Sequence, residues 1–334
     1  MRALADMPIS FPGLFGSWEF NPDPVAIDIG QGIYWYGIIL AIAMLAGMYL
    51  CMKQAKHYGL TEDNVMDLVL WAVPSCIIGA RLYYVLFNLD LYRDYDGTLL
   101  WGDMIAIWDG GLAIYGAVIV GVLVVFLFCR AKKLKFGAFT DLAVLGLILG
   151  QIIGRWANFI NREAFGAETT LPWRMRLWIG ATQSVEVHPT FFYESMWNLA
   201  GLMLLLFVVS RARRFDGENT WFYFLWYGLG RSWIEGLRTD SLYLFDWTFA
   251  GEPIRVSQAL SMVMVVVSVA MLFYMIRIRK CTAEGLLVNQ LAAVAEEEAA
   301  AETEDACEDA ETAAPAEAAE AASAEEEKND GNKN

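Results

Sequence analysis

The stretch Gly154-Arg155-Trp156-Ala157-Asn158-Phe159-Ile160-Asn161-Arg162-Glu163-Ala164-Phe165-Gly166 carries the densest chemistry in the chain. It continues an apolar run, residues 139–153, that reads as a membrane-spanning helix. An arginine, two asparagines and a glutamate are costly to place at such a helix end. Ionisable residues in membrane segments are functional candidates by default. Arg155, Asn158, Asn161 and Glu163 would build a polar pocket for an anionic group at the membrane surface. Arg231 and Glu235, four residues apart and so on one helix face, form a second such group.

The elements that must position these residues are long apolar blocks. A helix needs about 20 predominantly apolar residues to cross a bilayer core. Seven blocks qualify, near residues 33–52, 65–88, 112–129, 139–157, 191–209, 220–237 and 256–276. In lipid every backbone polar group must be satisfied within its own element, so blocks of this length are helices. The expected fold is an all-α polytopic membrane protein with a bundle of about seven transmembrane helices.

Charge gives an orientation. The formal net charge of -15 resides in an Ala/Glu-rich, low-complexity tail, residues 281–334, which carries a net -14 and leaves -1 on the membrane domain, residues 1–280. The tail reads as a solvated appendage with no catalytic role. Twelve basic residues fall at alternate connections: Lys53 and Lys56, Arg130 to Lys135, Arg211 to Arg214, and Arg277 to Lys280. Six fall in the others. By the positive-inside tendency the richer side is cytoplasmic, which puts the N-terminus outside and the tail inside. The long connections, 89–111 and 158–189, then lie outside, where function concentrates on loops. No removable signal peptide is apparent at the N-terminus. The five cysteines include no CxxC and none in an outer loop, so neither a disulfide framework nor a thiolate metal site is suggested. Nothing points to a cofactor or a nucleic-acid partner.

This topology sets depths. Arg155, Arg231 and Arg81 all approach the outer ends of their helices, and Tyr36 opens the first span at the same level. Three buried like charges repel unless an anion or carboxylates sit among them. Glu235, Glu163, Asp109 and Glu194 are the available partners. The plain alternative is an internal ion-pair network that fixes helix packing. Arginine's fork suits bidentate contact with phosphate oxygens. His188, before Pro189, is the one outer group that titrates near neutral pH without a shift; it is either structural or chemical. Asp109-Gly110-Gly111 opens the third span, where paired glycines allow close backbone approach. Gly146, Gly150 and Gly154 share one face of the fourth helix and suggest close helix packing.

Taken together, these residues resemble the prolipoprotein diacylglyceryl transferases of bacterial membranes. The resemblance rests on Gly154–Gly166 and on flanking matches in family order. These are Tyr34-Trp35-Tyr36-Gly37, Gly79-Ala80-Arg81, Trp108-Asp109-Gly110-Gly111, His188-Pro189 with Tyr193-Glu194, and Gly230-Arg231 with Glu235. It implies transfer of a diacylglyceryl group from phosphatidylglycerol to the lipobox cysteine thiol of a preprolipoprotein, forming a thioether and releasing glycerol phosphate. It also implies that Arg155 and Arg231 hold the phosphate while Asn158, Asn161, Glu163 and Gly166 shape the pocket, in the bacterial cytoplasmic membrane with the site toward the outer face.

The chain departs from many members at Tyr115, where they carry a histidine, at Gly116-Ala117 and at Trp156-Ala157. Neutral tyrosine, with a reference pKa of about 10, is a poor base. Glu235, His188 or the arginine field could each support thiolate formation, with Tyr115 positioning substrate. A transporter would want inverted repeats or helices broken at the midplane, and neither is seen. An intramembrane hydrolase needs an activated nucleophile and base, yet no GxSxG motif or serine partner for histidine is present. A scaffold leaves the layered arginines unexplained.

Overall fold

The computed structural model describes residues 8–29, 32–94, 96–178, 183–239, 243–249 and 252–300. Seven long helices dominate it: α1 (Trp35–Gln54), α2 (Glu62–Phe87), α3 (Ile114–Ala131), α4 (Phe136–Asn161), α5 (Thr190–Leu204), α6 (Glu218–Leu237) and α7 (Val256–Phe273). Six are long and apolar enough to cross a membrane: Trp35–Tyr58, Glu62–Phe87, Ile114–Ala131, Phe136–Asn161, Thr190–Val209 and Val256–Ile278. The protein is therefore an all-α polytopic membrane protein. The seventh expected span, α6, is a 20-residue helix but carries Glu218, Arg231 and Glu235. Together with its Asn, Tyr, Trp and Gly residues these lower its apolar content below that of the six. Among the described residues α6 packs against α4, α5 and α7, so its charged groups face protein.

Each helix begins and ends for local reasons. Thr61 caps α2 through a reciprocal box with Asn64, and Glu62 and Asp63 sit in its first turn. α4 stops at Arg162, whose φ of 55° turns the chain left-handed. Close approach between helices occurs at glycines. A Cβ on Gly47 would lie 2.8 Å from the Gly146 carbonyl oxygen, which marks the α1–α4 crossing. The α2–α3 crossing uses Gly79 and Gly116 in the same way. Of the glycine face on α4, only Gly146 packs this tightly. Gly150 has nothing within 4 Å of its would-be Cβ, and Gly154 meets Leu40 at 3.7 Å.

Short strands decorate one end of the bundle. β1 (Ile9–Ser10), β2 (Glu19–Phe20), β5 (Met175–Trp178) and β6 (Ser184–Val187) form an antiparallel sheet in the order β2-β1-β5-β6. Two hairpins, β3 (Val25–Ile27) with β4 (Ile33–Tyr34) and β7 (Tyr243–Phe249) with β8 (Glu252–Arg255), complete the set. Ile9, Met175, Leu177 and Val187 pack with Phe159 and Phe191, which seats the sheet on the end of α4 and the start of α5.

The chain divides into two compact units, Met1–Leu287 and Val288–Asn334. The first runs past residue 280 because Leu286 is buried and the Leu287 amide donates to Asp216 Oδ2 at 3.0 Å. In the second, residues 288–300 are helical. The expectations for the rest of the acidic tail, and for Cys307, fall outside the described residues.

Candidate active site

Glu194 is the centre of the charged layer. One carboxylate oxygen meets Arg155 from α4, and the other accepts from Arg231 Nη1 of α6 at 3.0 Å. Arg231 Nη2 lies 2.7 Å from Glu235 Oε2, one helical turn further on. Two guanidiniums and two carboxylates thus alternate across three helices, and all four side chains are at most one-fifth exposed. The site carries no formal net charge from these four groups. Each arginine keeps further N–H donors beyond the one bound to Glu194.

Local packing explains why Glu194 and Arg231 meet. Trp197, one turn after Glu194 on the same face of α5, stacks on Trp226 of α6 with centroids 4.5 Å apart. Each indole donates to the other's backbone carbonyl, at 3.0 and 2.9 Å. A side chain at Gly230 would collide with the Trp197 ring, so glycine there lets α6 approach and presents Arg231 to Glu194. Glu235 is fixed from behind, because Arg255, at the start of α7, donates to its backbone carbonyl. Among the described residues the space between α5 and α6 is closed. Glu194, Trp197, Asn198, Tyr227, Gly230, Arg231 and Ile234 enclose only about 10 Å³, room for about one water.

The opposite side of Arg155 is more open. Tyr36 lies within electrostatic reach of both Glu163 and Arg155. Asn158 Nδ2 donates to Glu163 Oε1 at 2.8 Å, and the Glu163 amide returns a bond to the Asn158 carbonyl at 3.1 Å. Asn161 is the last residue of α4. The turn that follows is held by Arg162, which bonds Asn21 Oδ1 and the Pro22 carbonyl at 2.9 and 3.0 Å. A Cβ at Gly37 or Gly150 would have nothing within 4 Å.

Gly166 and His188 belong to one backbone clasp. The Gly166 amide donates to the His188 carbonyl at 3.0 Å, and the His188 amide to Ala167 at 3.0 Å. Ala167 in turn reaches the Leu237 carbonyl at 2.6 Å, tying the turn after α4 to the end of α6. A Cβ on Gly166 would sit 2.7 Å from His188 Cβ and 3.1 Å from the Leu237 oxygen. Only glycine fits.

The His188 ring is engaged by Tyr193. Trp173 Nε1 donates to the Tyr193 hydroxyl at 2.7 Å, and that hydroxyl lies 3.2 Å from His188 Nδ1. An indole only donates, so the tyrosine oxygen accepts from Trp173, and its remaining lone pair or its proton is shared with Nδ1. Burial lowers the proton affinity of His188 below the usual imidazole value of 6.5.

Arg81 departs from the expected arginine layer. Its guanidinium donates to the carbonyls of Met104 at 3.0 Å, Gly110 at 2.5 Å, Gly111 at 3.0 Å and Asp103 at 2.6 Å, and it stacks on Tyr92 at 5.4 Å. It holds the connection before α3 rather than joining Glu194. Gly110 and Gly111 have φ of 86° and 70°, which residues with a Cβ adopt only under strain. This turns two carbonyls onto Arg81. The side chain of Asp109 lies outside the described residues. Tyr115 opens α3 with its ring against Tyr83, 6.3 Å between centroids.

The fold is that of a polytopic membrane protein whose helices carry a buried arginine–carboxylate chain near one end of the bundle. A family model described as prolipoprotein diacylglyceryl transferase matches residues 24–274, and the chain belongs to that family. It is a diacylglyceryl transferase acting in the first step of lipoprotein maturation. The chain is 41% identical over 260 residues to a Listeria welshimeri protein (75% of this chain, 89% of the relative). It is 42% identical over 266 residues to one from Oceanobacillus iheyensis (75% and 88%). A Finegoldia magna protein is 40% identical over 248 residues (74% and 93%). All three are named phosphatidylglycerol–prolipoprotein diacylglyceryl transferase.

Proposed function

We propose that the chain moves the diacylglyceryl group of phosphatidylglycerol onto the lipobox cysteine thiol of a preprolipoprotein signal peptide, with Arg155 and Arg231 holding the lipid phosphate. The observation that carries this reading is the convergence of α4 and α6 on one carboxylate, Glu194. A phosphate presents the same acceptor oxygens as that carboxylate. It can bind the remaining guanidinium N–H groups or take the place of Glu194 on one arginine.

The chemistry follows from the charges. The thiol sulfur attacks the glyceryl CH2 carbon, the carbon–oxygen bond to phosphate breaks, and its electron pair stays on glycerol phosphate. Negative charge therefore grows on the phosphate in the transition state. Preorganised guanidiniums in a water-poor site stabilise it there, and removing one such donor costs about 10²–10³-fold in rate. The thiol, with a reference pKa of about 8.5, must also lose its proton. We assign that proton to Glu235, which is 2% exposed and, among the described residues, ion-paired with Arg231. His188, with Nδ1 engaged, serves the clasp, and Tyr115 positions substrate.

The flank beside Tyr36, Asn158, Asn161 and Glu163, with Gly166 closing the turn behind them, supports lipid entry between α1 and α4. Arg81 with Asp109, Gly110 and Gly111 shapes the other wall. The distribution of basic residues supports a multi-pass arrangement in the bacterial cytoplasmic membrane with the N-terminus and active site outside and the tail in the cytoplasm.

A test of the phosphate site is lipid retention. Protein purified from detergent-solubilised membranes, then extracted and its lipid weighed by mass spectrometry, should hold phosphatidylglycerol over zwitterionic lipids. Arg155→Ala and Arg231→Ala should each abolish that preference; an unchanged preference in both would overturn the assignment.

A further inference from the structure

At the end of the bundle opposite the sheet, a second buried polar cluster lies outside the transfer site. Asp141, 0% exposed in the first turns of α4, points across to the start of α6. Its Oδ2 accepts from the Gly217 amide at 2.8 Å, and its Oδ1 accepts from the Thr220 amide and hydroxyl, both at 2.9 Å. A helix begins with unpaired N–H groups that its own N-cap side chain usually satisfies. The N-cap of α6 is Gly217, which has no side chain. A carboxylate from a neighbouring helix does the capping instead.

The surroundings hold that carboxylate in place. Arg213 Nη1 lies 3.6 Å from Asp141 Oδ2, while its Nη2 donates to the His57 carbonyl at 2.7 Å and its plane rests 3.9 Å over the Tyr58 ring. Asn219 Nδ2 donates to the Tyr58 hydroxyl and to Ser210 Oγ, at 2.6 and 2.8 Å. The ends of α1, α4, α5 and α6 are joined through one set of bonds.

The geometry points to Asp141 as a positioning residue for the two active-site arginines, setting the axial register and rotation of α6 against α4. Asp141 and Arg155 are fourteen residues apart on α4, about four turns, and face nearly the same way; Thr220 and Arg231 are eleven apart on α6, about three turns, and do too. A rigid helix carries a shift at one end to the other. Slippage of α6 by about 1 Å would displace Arg231 relative to Arg155, and errors of that size cost up to about 10²-fold in rate. A second tie at mid-height, Gln151 Nε2 to the Tyr223 hydroxyl at 2.7 Å, joins the same two helices. The inference rests on Arg155 and Arg231 acting together on the lipid phosphate.

The test compares full-length variants purified as folded, monodisperse protein in detergent, assayed for transfer from phosphatidylglycerol to a lipobox peptide. Asp141→Ala should lower kcat about tenfold or more, with KM for the peptide within about twofold. Asp141→Asn keeps an oxygen for Thr220 and should recover most of the loss. Thr61→Ala, which removes the cap of α2, should lower the melting temperature yet leave kcat within about twofold. Should Asp141→Ala not fold, Thr220→Val against Thr220→Ser removes only the hydroxyl bond, and kcat should fall about threefold in the valine variant alone. Native kcat per folded molecule in Asp141→Ala, or in Thr220→Val, would overturn the proposal. Arg155→Ala in the same assay separates the two claims: if it too is fully active, the phosphate assignment fails, and if it is inactive while Asp141→Ala is normal, only the register assignment fails.

Discussion

Glu194 Oε1 lies 3.0 Å from Arg231 Nη1, and the same carboxylate holds Arg155 with its other oxygen. One buried acid is therefore shared by two guanidiniums delivered by different helices. Breaking such a pair from one side leaves uncompensated buried charge, worth about 3–5 kcal/mol. Glu194→Gln should unfold at a lower temperature in detergent alone. Phosphatidylglycerol, supplying the missing anion, should raise its melting temperature more than it raises that of the native protein. Equal lipid shifts in the two would show that the phosphate does not reach these arginines.

Burial holds His188 below its ordinary 6.5, so under acid the unfolded chain takes up this proton before the folded one does. Stability from this group is complete above about pH 6.5 and declines as pH falls below it. The native protein should therefore show a melting temperature that drops between about pH 7 and pH 5, and His188→Gln should flatten part of that slope. Were His188 the essential base, the same variant would abolish transfer; the engagement of Nδ1 by Tyr193 predicts that substantial activity remains.

Arg81 binds four backbone carbonyls between Asp103 and Gly111. Lysine carries one ammonium in place of that fork. Arg81→Lys should free the connection containing Arg93, seen as faster tryptic cleavage there, with a loss of about 3 kcal/mol or more from unmade charged hydrogen bonds. Cleavage at the native rate would mean that the glycine pair holds this segment unaided.

Tyr115 packs by its ring against Tyr83, and a neutral phenol with a reference pKa of about 10 is a weak base. Tyr115→Phe should keep transfer within about threefold of native, whereas Tyr115→Ala should fall further through lost packing. A collapse of activity in the phenylalanine variant would assign chemistry to the hydroxyl.

Much of the architecture is legible in the chain because membrane helices are written in long apolar blocks. All seven helices were expected, with α6 read as a span like the others. The pairing of Arg155 with Arg231 followed from comparing depths along helices of the same direction. Depth alone misassigned the surroundings of Arg81, since its partners are backbone carbonyls, which leave no trace in side-chain pattern. Glu194 was visible only as one of several acids; its place between two arginines depends on the Trp197–Gly230 contact, which sequence spacing does not reveal. Asp141 carried a readable signal. An acid inside an apolar span is costly for the same reason as Arg155, but it was passed over in the sequence and only the structure shows its partners on α6. The strands of the small sheet run only two to four residues, too short for alternation to register.

The central claim is that Arg155 and Arg231 jointly stabilise the departing phosphate. The most direct measurement is transfer by purified protein from phosphatidylglycerol to a lipobox peptide, with mass spectrometry of the peptide cysteine. Native protein should yield the diacylglyceryl thioether, and Arg155→Ala and Arg231→Ala should each reduce its rate by about 10²–10³-fold. A folded double variant that forms the adduct at the native rate would contradict the account.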